Sequence, residues 1–349
     1  MTIERTHEER ALMDEHGLPW PAADEDAASR ARSSLRSCAD HLADDCADTA
    51  KALQGPLSGG RGEATDALAA HGARVRDHFT RTNEAAAVIA SELLNCGDAI
   101  AVHKDTARDI VARLAAALPP PTAVPGSIRP PLDAARRNAV ENARAELRSI
   151  EAEAFDDCGA RSAAARADPA VAGLPDVPAD LAGRRRATGG GTGPGITGGA
   201  GIVGGAVGGG GRAVGSGGAV VGAGRRAPDR LPGELPGYGP PVGAPWSFRI
   251  DFQEHARAAT RLSEIADRIS GRTTNALARA VYDLEELRRS GSLGASAAAG
   301  FAPLLDDLDR AVRALGRHLA GPLRDAVRAA GEDQDRTEDD NGSRFGRPR

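Results

Sequence analysis

Between Ala187 and Gly224 glycine dominates the chain, and no hydrophobic periodicity survives there. Glycine loses more backbone entropy on folding than any other residue and brings no side chain to bury. A tract of this kind is expected to behave as a flexible coil spanning about 30 to 40 Å. No core can run through it. The sequence therefore divides into helical portions before and after a Pro/Gly-rich linker, Pro169 to Pro245. Inside the tract, Gly199-Ala200-Gly201-Ile202-Val203-Gly204 matches the dinucleotide fingerprint. It has neither the preceding strand nor the following helix that the motif's mechanism requires, so it reads as a chance product of low complexity.

Apolar residues make up 41 % of the chain but aromatics only 3 %, so much of the apolar content is alanine. Alanine buries little area yet has the best helix propensity, which favours long, thin helices over a core of large side chains. The net charge of −5 argues against a nucleic-acid binder, which would show a basic face. Met1 to Arg10 is charged, so no cleaved signal peptide is expected. The most apolar long stretch, Gly195 to Gly224, is mostly glycine and carries Arg212, so membrane integration is not expected either.

Read in order, residues 1–16 are polar and expected to be a flexible N-terminus. Gly17-Leu18-Pro19-Trp20-Pro21 is an extended lead-in, and Asp24-Glu25-Asp26 suits the positive end of a helix. Ala28, Ala31, Leu35, Cys38, Leu42, Cys46, Thr49 and Leu53 recur at helical steps. After a Gly/Pro/Ser turn, a second stripe runs from Leu68 through Phe79, Ile89 and Ile100 to Leu114, with a kink expected at Gly97. Pro119-Pro120-Pro121 ends it, and Val140, Leu147, Ile150, Ala154 and Cys158 mark a third helix. Residues 17–168 thus read as an antiparallel helical bundle, and 169–245 as a disordered linker.

Within residues 246–335, Leu262, Ile265, Ile269, Ala276, Ala280, Leu284 and Leu287 form a near-heptad stripe. Ser290-Gly291-Ser292-Leu293-Gly294 makes a turn, and Phe301, Leu305, Leu308, Val312, Leu315, Leu319 and Val327 form the returning arm, with Pro322 expected to kink it. Residues 336–349 are expected to be a disordered tail. The fold class is all-α. Two antiparallel arms bury one strip each and leave too little core to stand alone. The remedy is a second hairpin, giving a four-helix bundle. That partner is another hairpin protein, a second copy, or the N-terminal bundle of the same chain. Leu262, Ile265, Ile269, Leu284, Phe301, Leu305, Leu308 and Leu315 are expected to bury the contact.

The hairpin from Phe248 to Asp335 resembles the WXG (ESAT-like) family of type VII secretion substrates. The resemblance rests on its length, the Ser/Gly turn followed by Ala297-Ala298-Ala299-Gly300-Phe301, and the acidic tail. The family's turn tryptophan is absent, with Leu293 and Gly294 nearest its place. Its export signal, a tyrosine followed four residues later by an acid, is represented at best by Gly331 and Asp335. Without the tyrosine, the resemblance implies that a partner carries the export signal. The segment Gly17–Pro21 with Asp24-Glu25-Asp26 and the alanine-rich helix after it is similar to the helical domain that opens actinobacterial CpnT-like toxins. Together these resemblances imply export without a cleaved signal from a cytoplasmic start, helical-hairpin partners, contact with the secretion machinery, and no catalysis by these regions.

No catalytic, cofactor or metal constellation is expected. His71 and His78 lie beside the second stripe and are placed to face Cys38 and Cys46, but the spacing matches no closed zinc site, and buried cysteines are ordinary core residues. Cys38 and Cys46 lie about 12 Å apart along one helix, too far for a bridge, so the four cysteines do not read as a disulfide framework. Asp306, Asp307 and Asp309 read as a solvated face. Arg184-Arg185-Arg186 and Arg225-Arg226 are too short to anchor the chain on an anionic surface. The expected function is that of a non-enzymatic, type VII secretion-associated protein acting through hairpin pairing. The alternative is a cytoplasmic coiled-coil-like scaffold.

Overall fold

The computed structural model describes residues 3–59, 62–118, 129–183 and 252–345, and every regular element among them is helical. Helix α1 (His7–His16) starts with a capping box. The Thr6 hydroxyl accepts the Glu9 N–H at 3.1 Å, and the Glu9 carboxylate accepts the Thr6 N–H at 2.6 Å. Gly17, at φ 59°, closes its other end. The segment expected to be flexible is therefore a capped helix, and Met13 is buried with Ile110, Leu114 and Leu147 in a small core at one end.

The long helices follow: α2 (Glu25–Gly59), α3 (Glu63–Ala117) and α4 (Arg129–Ala167). α3 runs through Gly97 as a single helix. The stretch from Pro169, expected to open the linker, is instead helical as far as Leu181. Asp168 caps α5 (Pro169–Ala172) by accepting the Ala170 N–H at 2.8 Å, with Pro169 in the first turn, where its missing donor costs nothing. A 3₁₀ turn (Leu174–Asp176) and α6 (Val177–Leu181) continue the run, and Val171, Leu174, Val177 and Leu181 are buried. The glycine tract lies outside the described residues.

After it, α7 (Phe252–Arg268), a π-helical turn (Ile269–Thr273) and α8 (Thr274–Arg289) form one continuous helix. The Thr274 hydroxyl donates to the Ile269 carbonyl at 2.9 Å, holding the widened turn. The returning helix is α9 (Ser292–His318), a second π turn (Leu319–Leu323) and α10 (Arg324–Phe345), which continues into the stretch expected to be a disordered tail. Pro322, where a kink was expected, lacks the N–H an α-turn needs, and it sits in this π turn.

The described residues on both sides of the glycine tract belong to one compact unit. The domain boundary placed between bundle and hairpin therefore does not separate two bodies. α2 packs on α3 along one side and on α7 and α8 along the other, while α9 packs on α8, α4 and α3. At the hairpin tip Gly291 sits at φ 146°, and a Cβ there would meet the Ala22 carbonyl oxygen at 2.6 Å. Only glycine fits such a backbone at such a distance. Beside it, Ser290 Oγ accepts the Asp24 N–H at 2.8 Å and the Gly294 N–H reaches the Ala22 carbonyl at 3.4 Å.

Midway along the same seam, Asp45 is fully buried. Its Oδ1 accepts from Arg268 Nε at 3.2 Å and from an Arg272 guanidinium nitrogen at 3.1 Å, while Arg268 also binds Asp48 at 2.6 Å. Removing one partner of a buried ionic cluster leaves the others desolvated and unpaired. The Asp45→Ala variant is expected to lose about 3 kcal/mol of unfolding free energy in urea titrations. Asp48→Ala, at a half-exposed carboxylate, is expected to lose less than about 1 kcal/mol.

Candidate functional site

The apolar stripe of the C-terminal helices was the expected interaction surface, and the structure shows what covers it. Leu262, Ile265, Ile269, Leu284, Phe301, Leu305, Leu308 and Leu315 are each exposed by 4 % or less. They share one core with Leu35 and Leu42 of α2 and with Phe79, Ile89 and Leu93 of α3. The faces read as awaiting a partner are thus buried by helices of the same chain. Large apolar side chains left exposed among the described residues are Val102, Val281 and Tyr282.

The turn and export-signal positions fall at different depths. Leu293 and Gly294 are buried beneath the Ala22–Asp24 lead-in. Gly331 is buried against the His255 ring, where a Cβ would come within 3.1 Å, whereas Asp335 is exposed. Trp20 packs on the small core, with the Arg5 guanidinium 5.7 Å above its ring. Trp246, the flanking arginine clusters and the fingerprint match lie outside the described residues. Asp307 and Asp309 pair with Arg310 and Arg313 on the same helix, and Asp306 is exposed, as on a solvated face.

His71 meets a histidine of the C-terminal helices. Its Nε2 lies 2.7 Å from Nε2 of His318, with the rings edge to face. One ring must therefore donate while the other accepts, and two protonated rings would oppose N–H to N–H. A cleft of about 870 Å³ opens beside the pair, lined by Arg74, Asp77, His78, Arg81, Asp180 and Leu181 among others. His78 is buried and its Nδ1 has no hydrogen-bond partner. Burial pushes His318 down to about 4, helped by His71 and His78, while a hydrogen bond with the Leu181 backbone opposes the shift. His71 is lowered by burial and by Arg74. His78 is lowered mainly by burial, with Arg81 and Arg74 adding to it and Asp180 and Asp77 working against it.

The cleft joins α3 to the end of α9 and to α6, so it ties three separate stretches of sequence. Among the described residues no group of three His, Cys, Asp or Glu side chains is arranged to hold a metal ion. A second polar site closes the far end of the seam. The Lys104 ammonium, 2 % exposed, donates to Glu25 Oε2 at 2.6 Å and to the Ala23 carbonyl at 2.5 Å. By length and composition α3 contains a window apolar enough to cross a membrane, and 44 % of that window is buried inside the protein.

Sequence reasoning missed Asp45, Arg268, Arg272, Lys104 and His318. Asp45 follows Leu42 by three positions and His318 follows Leu315 by three, so both stood on apolar stripes where a charged or titratable residue is a signal in itself. No family model, curated protein or solved structure matches this chain.

The lowered histidines set a sign for stability against pH. A histidine whose folded pKa lies below its unfolded value of 6.5 takes up its proton on unfolding. Its contribution is complete above pH 6.5 and is lost as the pH falls toward about 4. Between those limits His318→Gln is expected to flatten the decline in unfolding free energy relative to the wild type. The difference should be on the order of 2 kcal/mol after allowance for the open side of the cleft, read by urea unfolding at several pH values.

Proposed function

We propose that this chain is a non-enzymatic protein of the type VII secretion-associated class in which both members of a helical-hairpin pair are carried on one polypeptide. The observation that carries the pairing half of this reading is the burial of all eight stripe side chains against α2 and α3 of the same chain. Of the partners that the hairpin's narrow stripe admits, the N-terminal helices are the one this packing supports. A separate hairpin protein or a second copy would have to displace them.

The secretion half rests on the resemblance of two stretches, Gly17–Asp26 and Phe248–Asp335. These meet at the hairpin tip, where Asp24 and Ala22 bond to Ser290 and Gly294. On this reading the fused pair takes the place of a two-chain export complex, and the linker residues between the halves let both belong to one chain. The protein would start in the cytoplasm and leave through the secretion machinery.

Two measurements test this. In light scattering the wild type is expected to have the mass of a single chain. Ile269→Asp is expected to stay a single chain but to lose on the order of 3 kcal/mol of stability, because it buries a charge without a partner. A wild-type dimer that Ile269→Asp dissolves into folded single chains would place the stripe between molecules. For export, the chain is expected in the culture medium of its native host and absent from it when the secretion ATPase is deleted. Retention in the cytoplasm of both strains would favour the scaffold reading.

A further inference from the structure

Away from the seam and the cleft, the interior contact between α3 and α4 brings two cysteines together. Cys96 and Cys158 are 62 positions apart in sequence, yet their sulfurs lie 2.8 Å apart, with the Cys158 Sγ accepting the Cys96 thiol hydrogen. Both are buried, at 0 % and 1 % exposure, and both are free thiols. The other two cysteines, Cys38 and Cys46, are also free. Two sulfurs held this close on separate helices need to move by less than about 1 Å to reach the bonded separation near 2 Å.

We infer that Cys96 and Cys158 are an oxidisable dithiol that closes into a disulfide stapling α4 to α3 when the protein meets a peroxide or a small disulfide oxidant. With hydrogen peroxide, the two thiols give up two protons and two electrons, the O–O bond breaks as the S–S bond forms, and the oxidant leaves as two molecules of water. With a disulfide oxidant, a cysteine thiolate attacks one of its sulfurs, breaking the oxidant's S–S bond and releasing one of its halves as a thiolate. The second cysteine then attacks the protein sulfur of the mixed disulfide and releases the other half, so the oxidant leaves as two thiols.

The surroundings decide the rate and the choice of oxidant. The thiolate is the reacting form, and the bond to Cys158 together with burial raises the Cys96 thiol well above its ordinary range. Reaction is therefore slow, and it favours an oxidant small enough to enter during local opening. Burial also protects the bridge once it has formed, because an attacking thiol must reach the sulfurs along the same route. The bridge closes the loop from residue 96 to residue 158, which contains the whole connection between α3 and α4. Closing a loop of that length restricts the unfolded chain, so oxidation stabilises without changing the folded contacts.

The test uses the full-length protein, purified under reducing conditions and then incubated with hydrogen peroxide or the small disulfide cystamine before alkylation and tryptic mapping without reductant. The expected product is peptide 82–104 linked to peptide 149–161, with two hydrogens lost and Cys38 and Cys46, both on peptide 37–51, still alkylated. The urea midpoint should rise on oxidation and return after dithiothreitol. Cys158→Ser, shown by circular dichroism to be folded, should have a midpoint that the oxidant leaves unchanged. Four alkylated cysteines after oxidation of a folded sample would overturn the inference. Linkage of peptide 37–51 to either of the others would overturn it too.

Discussion

A pair of alanine-rich helices buries one strip of each arm against the other, and that alone leaves too little core to stand. Leu262, Ile265 and Ile269 on one arm and Phe301, Leu305 and Leu308 on the other need a third surface, which α2 and α3 provide. Fully burying a large apolar side chain contributes roughly 1.5 to 3 kcal/mol. Eight of them are worth on the order of 10 kcal/mol even after the residual compactness of an unfolded chain is discounted. Solvent-exposed ion pairs such as Arg288–Glu285 lie within one helix and do not bridge the halves, so the apolar seam decides whether the halves join.

Polar groups then decide how they join. A stripe of leucines and alanines tolerates sliding by a helical turn, whereas Asp45 between Arg268 and Arg272 has one register in which its charge is matched. Gly291 under Ala22 fixes the tip, and Lys104 on Glu25 ties the start of α2 to α3. Buried ionic groups of this kind are weak sources of net stability but penalise misaligned packing strongly. The His71–His318 contact adds a fourth fixed point, and this one is sensitive to protonation.

Much of this was legible in the sequence, and the failures have physical causes. The helical stripes and the returning arm were readable because leucine and alanine recur at 3.6-residue spacing over many turns. Those stripes said that a face was buried but not by what, since Leu262 buries equally well against another chain or against Leu35. The Thr6–Glu9 capping box and the Asp168-Pro169 helix start were visible signals outweighed by the polar or proline-rich composition around them. Val171, Leu174, Val177 and Leu181 keep helical spacing inside the stretch read as linker, so the prolines marked helix starts there and not breaks. The meeting of Cys96 with Cys158 and of His71 with His318 depends on relative helix rotation, which no single-helix periodicity contains.

One half of this chain is the other half's partner, and cutting the chain between them shows whether the two hold together without the covalent link. A protease site placed within the glycine tract, Ala187 to Gly224, would separate the two helical portions covalently while leaving every described contact intact. After cleavage of the folded protein, the account predicts that the two fragments co-elute as a one-to-one complex and unfold in a single transition. Fragments that elute separately, with the C-terminal one still helical and cooperatively folded alone, would contradict it.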